Sequence, residues 1–186
     1  MSSSQAGQNH QASLEELVKH AQSIAAAREV NPQDQLFLMG HLRNNTSGPM
    51  TIHAQYVWSG TIIRNFPEIL VSGVNAEFEQ VSKIAANGIK SAVVYSGRVV
   101  DGQSQCGWLV AWSNPEDIQA KKVYVDCGPI SKFDNIDWKK INFELSQSDS
   151  CASHTDPLTR TSVNACIRPP VAKAVGVGIL VVEYYG

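Results

Sequence analysis

The spacing of apolar residues changes its period once along the chain, near Gly48. Before this point, apolar side chains recur every three or four residues, the period of a helix that is buried along one face. This spacing predicts one helix over 13–28 and a second helix over 31–45, together a helical pair. The tail 1–12 is rich in Ser, Gln and Asn, and we expect it to be disordered.

Beyond Gly48 apolar and polar residues alternate, which is the period of a half-buried strand. A polar loop is predicted over 147–165. Strands are predicted at 50–58, 69–71, 76–84, 91–96, 106–112, 122–127, 141–146 and 175–185. Because no helical segments separate these strands, they favour an antiparallel β-sandwich or barrel over a doubly wound α/β fold. The predicted fold is mainly β (α+β): two N-terminal helices precede an antiparallel β-sandwich over 50–186, in a single domain over 13–186.

Composition excludes two broad classes of protein. Hydrophobic residues make up 43% of the chain and the formal net charge is -2, so an intrinsically disordered chain is excluded. A basic surplus to neutralise phosphates is missing, since 15 Lys and Arg face 17 Asp and Glu. We therefore expect no nucleic-acid partner.

The first thirteen residues contain no Lys or Arg and no apolar run, so no secretory signal is predicted. The longest near-continuous apolar stretch is 174–182, which is shorter than the roughly twenty residues that span a bilayer. The sequence therefore predicts a soluble, cytoplasmic protein without a transmembrane segment. Its oligomeric state is left open.

The four cysteines lack the Cys-x-x-Cys spacing of zinc and redox sites. In a cytosolic chain the default interpretation is four reduced thiols, some of them buried. The oxidised alternative is a Cys151–Cys166 disulfide, which would close a loop of about fifteen residues and contribute about 3 kcal/mol.

No specific enzyme signature is present. The histidines form no metal-ligand pair, and both a Gly-x-Ser-x-Gly elbow and a phosphate-binding glycine loop are missing. We therefore predict no catalytic residues, no cofactor and no metal ion. One alternative stays open, a hydrolase with a dispersed site at Cys151, His154 and Asp156.

The tryptophans divide into two groups by their surroundings. Trp108 and Trp112 share one face of a predicted strand, so burial in the core is the favoured interpretation. Trp58 and Trp138 adjoin turn or polar residues and are the better candidates for half-exposed ligand-binding positions. Such rings suit a sugar ring or a lipid headgroup, because Trp and Tyr favour sites that are half wet and half apolar.

Three segments resemble the plant jasmonate-induced protein family known from barley. They are Ala92-Val93-Val94-Tyr95, the strand Cys106-Gly107-Trp108-Leu109-Val110-Ala111-Trp112, and Trp58-Ser59-Gly60, with a further likeness around Trp138. The resemblance covers most of 13–146 and excludes the loop 148–170. A more distant similarity links the strand pattern to actinoporin-like fungal proteins that bind sphingolipid membranes.

The resemblance implies a stress-induced plant protein of the defence response, and it supplies no catalytic residues. We therefore expect a non-enzymatic protein whose β-sandwich binds a lipid or another ligand, with membrane sphingolipid or a glycan as the partner. One alternative is a carbohydrate-binding, lectin-like module that uses Trp58 or Trp138 as a stacking platform. Another is a protein that accumulates as a store or stabiliser.

Overall fold

The computed structural model describes residues 12, 14–20, 22–23, 36–99, 104–169 and 176–186. Strands dominate this part of the chain, which confirms the prediction of a mainly β protein. The strands are β1 Leu36–Asn44, β2 Met50–Ser59, β3 Thr61–Arg64, β4 Ile69–Leu70, β5 Asn75–Ser82, β6 Ile89–Arg98, β7 Gln105–Asn114, β8 Lys122–Pro129, β9 Cys151–Thr155, β10 Ser162–Arg168 and β11 Val177–Tyr185. Seven of the eight predicted strands correspond to β2, β4, β5, β6, β7, β8 and β11.

Two α-helices occur in the described part of the chain, one before β1 and one between β8 and β9. Helix α1 contains residues 12, 14–20 and 22–23, and helix α2 is Trp138–Gln147. Short 3₁₀ turns lie at Ala85–Asn87, Ile118–Ala120 and Ile130–Phe133. The expectation of two N-terminal helices was therefore wrong. Of the predicted disordered tail, 1–11 lies outside the described residues, whereas Ala12 is helical.

The strands form two sheets. The six-stranded sheet has the order β3-β5-β1-β11-β10-β9, and the five-stranded sheet has the order β4-β2-β6-β7-β8. Strands β1 and β11 are parallel, whereas the other pairs in the described residues are antiparallel. The expectation of a wholly antiparallel body therefore fails at the centre of the six-stranded sheet.

Buried side chains from both sheets belong to one contiguous apolar cluster. The six-stranded sheet contributes Leu38, Phe78 and Val182 among others, and the five-stranded sheet contributes Val93, Trp108, Trp112 and Val125 among others. Each of these seven side chains is at most 5% exposed. We call the side of each sheet that points away from this cluster its outer face.

Strand β1 replaces the predicted second helix. Its inner positions, including Leu36 and Leu38, lie in the shared core, whereas Phe37 and Met39 point outward and pack with Leu17 of α1 in a second buried cluster. A strand that is buried on both faces has a continuous apolar run, which sequence periodicity alone cannot distinguish from a buried helix.

Helix α2 replaces the predicted strand 141–146. Its apolar residues Trp138, Ile141 and Leu145 follow one another at helical spacing and contact the outer face of the five-stranded sheet, while Phe143 is 62% exposed. The alternation of Ile141, Phe143 and Leu145 imitated the period of a strand. The interpretation was wrong because Phe143 is an exposed apolar residue on the solvent side of the helix.

The predicted loop 147–165 contains two elements of sheet instead. Strand β9 and most of strand β10 lie within it, and β10 pairs with both β9 and β11. Polar residues alternate with small ones such as Ala152 and Ala165, so the segment has little of the apolar signal that marks a strand.

The default of four reduced thiols is also corrected. Cys151 and Cys166 stand opposite each other on β9 and β10 and form a disulfide. Cys106 and Cys127 lie outside the disulfide and are buried. The structure therefore agrees with the oxidised alternative, a Cys151–Cys166 disulfide.

None of the helices in the described residues combines the length and the apolar character needed to span a bilayer.

Candidate aromatic binding site

Strand β2 carries two aromatic residues on its outer side. Tyr56 and Trp58 are two positions apart, so their side chains leave the strand on the same face. Their ring centroids are 5.1 Å apart. This places a pair of rings beside the N-terminal end of helix α2.

Trp138, the first residue of α2, completes what we call the aromatic cluster, which consists of Tyr56, Trp58 and Trp138. The ring of Trp138 stacks on Tyr56 with a centroid distance of 5.3 Å and an interplanar angle of 23°. It meets Trp58 edge to face at 6.1 Å and 80°. Tyr56 is 41% exposed, and both tryptophans are half-buried. The two sequence-predicted site residues are thus brought together, and a tyrosine joins them.

The approach of Trp138 to the sheet depends on Gly107 of β7. A Cβ atom at this position would lie 2.4 Å from the Phe133 ring, so only glycine lets the 3₁₀ turn Ile130–Phe133 close over the sheet. Asp137 then begins the helix, because its Oδ1 accepts hydrogen bonds from the backbone N–H groups of Lys139 and Lys140 at 3.0 and 3.1 Å. Together these contacts set where Trp138 emerges.

Helix α2 is held on the sheet along its length. Leu145 is 1% exposed and packs in the same cluster as Val94 and Leu109. Lys90 of β6 donates a hydrogen bond from Nζ to Asn142 Oδ1 at 3.2 Å. Because the helix is anchored by both contacts, Trp138 has a defined position relative to β2.

The geometry suits an amphipathic contact rather than proton chemistry. The three rings lie at the boundary between a packed layer and solvent, where Trp and Tyr can present an apolar body with a polar edge. Tyr56 covers one face of Trp138. The cluster is therefore a compact apolar projection, and it is not a flat, open ring platform.

Trp108 and Trp112 lie in the core, as predicted. Both are 0% exposed. The indole N–H of Trp108 donates to the Tyr185 backbone oxygen at 3.0 Å, and that of Trp112 donates to Gln80 Oε1 at 2.9 Å. Since their polar atoms are satisfied inside the protein, these tryptophans are structural.

The residues of the alternative hydrolase site are not assembled into a catalytic group. Cys151 is bonded to Cys166 and offers no thiol. His154 Nε2 lies 3.3 Å from Asp126 Oδ1, and Asp156 accepts hydrogen bonds from Thr159 N and Oγ1 at 2.7 Å each. These hydrogen bonds lower the pKa of Asp156 and give it a structural role in its turn.

The two buried cysteines outside the disulfide, Cys106 and Cys127, are also unsuited to nucleophilic chemistry. Burial raises the pKa of Cys127, whose Sγ donates to the Thr161 backbone oxygen at 3.3 Å. In the part of the chain that the structure describes, no cluster of three or more His, Cys, Asp or Glu side chains could hold a metal ion.

A comparison with known protein families identifies the family of this chain. The profile of the family described as Nakanori-like protein matches residues 27–167, which is most of the chain. The chain belongs to the Nakanori-like protein family.

A relative is a jasmonate-induced protein homolog from Atriplex canescens. It is 33% identical over 157 residues, which cover 82% of each protein. The resemblance to the jasmonate-induced proteins that the sequence motifs predict is confirmed by this match.

The fold of this Nakanori-like chain is also found in a solved structure. The crystal structure of the lipid binding protein Nakanori matches with a TM-score of 0.66 at 14% identity, over 91% of this chain and 79% of that one. At this level of identity the match establishes the shared fold.

Sequence reasoning missed Tyr56 as a member of the cluster. Its position two residues before Trp58 on a strand was a usable signal, because side chains at i and i+2 share a face. Its contact with Trp138 had no comparable signal. That contact requires α2 to be a helix, and the segment had been interpreted as a strand.

Proposed function

We propose that this protein is a stress-induced, non-enzymatic plant protein that binds a lipid membrane surface through the aromatic cluster. The observation that carries the proposal is the half-exposed group of Tyr56, Trp58 and Trp138 on an outer sheet face. The names of two similar proteins support the proposal. The relative from Atriplex canescens is called a jasmonate-induced protein homolog, and the structural neighbour is called a lipid binding protein.

The physical argument is the interfacial preference of tryptophan and tyrosine. Their rings are amphipathic and collect at the headgroup level of bilayers, where one edge is wet and the rest is apolar. The cluster has this character, because packing against β2 and α2 hides part of each tryptophan and leaves the remainder exposed.

A further part of the proposal is a β-sandwich in which the two sheets pack face to face. The single buried cluster that takes side chains from both sheets supports this arrangement. It would leave the outer face of the five-stranded sheet, where the aromatic cluster lies, free to approach a membrane.

Sphingolipid is the proposed membrane partner, and a glycan is the second candidate. The mutual stacking of Tyr56 and Trp138 favours the lipid, because a sugar ring packs against an open aromatic face and this pair covers one of its own. A glycan array in which the protein gains specific signals, while sphingolipid vesicles bind nothing, would favour the lectin-like alternative.

The first test is co-sedimentation of the purified protein with vesicles, with and without sphingolipid and sterol. We expect the wild-type protein to pellet with sphingolipid vesicles. Trp138→Ala removes one interfacial ring and is expected to lower the partition coefficient about tenfold. The absence of wild-type pelleting would reject the membrane proposal.

Phe143→Ala is the matched control, because Phe143 is an aromatic residue of the same helix and lies outside the cluster. Its partition coefficient should remain within about twofold of wild type. Equal losses in both variants would show that the binding surface is not the aromatic cluster.

We further propose a cytoplasmic location and a role in plant stress. The separation of Cys151, His154 and Asp156 into different contacts supports the non-enzymatic part of the proposal. Accumulation of the protein in leaves after jasmonate treatment tests the stress role, and cell fractionation tests the location. An abundant stress protein that binds neither vesicles nor glycans would favour the storage alternative.

A further inference from the structure

Three exposed aliphatic side chains project from the region where β4 leads into β5. Ile69, Val71 and Val74 are 57%, 54% and 52% exposed, and we call them the aliphatic tip. Between them, Leu70 is 1% exposed and anchors the segment in the core. Exposed apolar groups that cluster in one short segment mark an interaction site more often than scattered ones do.

The backbone beneath the tip is held by hydrogen bonds. Asn44, which is fully buried, donates from Nδ2 to the Leu70 carbonyl at 2.8 Å and accepts the Gly73 N–H on its own carbonyl at 2.7 Å. Ser72 Oγ donates to the Thr46 carbonyl at 2.5 Å. Because the backbone is tied to the loop after β1, the tip side chains are held in an exposed position.

The tip lies along the same edge of the five-stranded sheet as the aromatic cluster. Ile69 pairs with Thr51 of β2, and since its neighbour Leu70 points into the core, Ile69 points to the outer face. Tyr56 lies five residues farther along β2, and the irregular register between Ile52 and Ala54 brings it to the same face, about 15 Å away at the usual rise of a strand. The exposed edge of β2 thus has aliphatic groups at one end and aromatic rings at the other.

Strand β2 and the segment from β4 to β5 contain few charged residues, whereas the exposed Lys139 and Lys140 follow Trp138 at the aromatic cluster. The stretch 44–63 contains no Asp, Glu, Lys or Arg, and Glu68 is the one charged residue in 65–76. The aliphatic tip therefore lacks the basic cluster through which proteins recognise anionic headgroups. Three half-exposed aliphatic side chains also provide a small fraction of the roughly 800 Å² that each partner buries in a stable protein interface.

We infer that the aliphatic tip enters the interfacial region of an electrically neutral bilayer, so that the protein lies with strand β2 along the membrane and contacts it at two points. The inference rests on the proposed lipid function and adds a second contact to the aromatic cluster. The tip supplies apolar insertion, the cluster supplies the interfacial rings, and neither requires anionic lipid.

The test compares variants on vesicles of phosphatidylcholine, sphingomyelin and cholesterol. Val71→Lys and Val74→Lys place a charge at the tip and are expected to weaken partitioning about tenfold or more. Ile84→Lys is the matched control, since Ile84 is 56% exposed and follows the opposite end of β5. The control should bind within about twofold of wild type.

A fluorescent reporter gives a second measurement, at saturating vesicles, of whether the tip itself enters the bilayer. An environment-sensitive dye attached at Val71→Cys should shift to the blue on vesicle addition, whereas the same dye at Ile84→Cys should not. The native cysteines Cys106 and Cys127 are buried, so we expect them not to compete for the label. Circular dichroism of each variant checks that it is folded.

The outcomes separate the two proposals. In one outcome Trp138→Ala weakens binding, the tip variants bind like wild type and the dye at position 71 shows no blue shift. This result would overturn the proposed membrane contact of the aliphatic tip and leave the proposed function intact. Wild-type binding that requires phosphatidylserine and disappears in high salt overturns the neutral-bilayer assignment. Failure of the wild-type protein to bind any of these vesicles rejects both.

Discussion

At the scale of single residues, chemically identical side chains have different roles because their neighbours differ. Trp108 and Trp112 are fully buried with satisfied indole N–H groups, whereas Trp58 and Trp138 stand half-exposed at a sheet surface. The sequence distinguished the two pairs because strand alternation places the first pair on one face, while turn residues adjoin the second.

The buried His41 is expected to make the stability of the protein depend on pH. His41 on β1 is 2% exposed, and its Nδ1 lies 3.6 Å from Glu77 Oε1. Burial lowers its pKa from 6.5, with Arg64 and His20 acting in the same direction and Glu77 opposing them. A lowered pKa means that the unfolded chain binds the proton more tightly, so acid favours unfolding.

We therefore expect the free energy of unfolding to decrease as the pH falls below about 6.5, until the folded-state pKa is passed. Urea titrations of the wild type and His41→Gln measure this loss, which should be smaller in the variant. His53→Gln is the control, because His53 is an exposed histidine on β2. Equal pH dependence in wild type and His41→Gln would contradict this role of His41.

At the scale of secondary structure, periodicity failed where an element is buried on both faces or carries an exposed apolar residue. Strand β1 lies between the core and α1, so both of its faces are apolar and its sequence lacks the alternation of apolar and polar residues. Helix α2 contains the exposed Phe143, which imitated the period of a strand. Both errors arose because burial is decided by packing between elements, and packing is not encoded in local spacing.

The N-terminal cap of α2 links helix stability to the aromatic cluster. Asp137→Ala removes the acceptor for two backbone N–H groups and should lower the free energy of unfolding by about 1 kcal/mol in urea titrations. Because Trp138 is the next residue, vesicle binding should weaken as well. Asp134→Ala alters an exposed aspartate that precedes the helix and should leave both measurements near wild type.

The disulfide between β9 and β10 gives a test of redox sensitivity. It links two cysteines that are 15 residues apart in the sequence. Reduction should therefore lower the free energy of unfolding by about 3 kcal/mol. Thermal unfolding with and without dithiothreitol measures the difference. A Cys151→Ser/Cys166→Ser variant should not respond to the reductant.

The same pair bears on the proposed cytoplasmic location, because cytosolic disulfides are rare. Rapid alkylation of freshly extracted protein measures whether the pair is bonded in the cell. Fully oxidised protein in such extracts would contradict a cytoplasmic location.

At the scale of the whole molecule, contacts between distant segments complete the fold. Strand β1 pairs in parallel with β11, near the other end of the sequence. Arg168 on β10 forms an ion pair with Glu15 on α1 at 3.0 Å. The edge formed by β2 and β4 joins the aromatic cluster to the aliphatic tip, although α2 comes from a later part of the chain.

The mainly β character, most strand positions, the two core tryptophans and the family resemblance could be predicted from the amino-acid sequence alone. These features depend on alternation and on motifs that are local in the chain. The folded structure was needed to show that 36–44 is a strand, that β1 and β11 pair in parallel, and that Tyr56 stacks on Trp138. Each of these depends on which surfaces meet after the chain has folded, and residues far apart in sequence supply those surfaces.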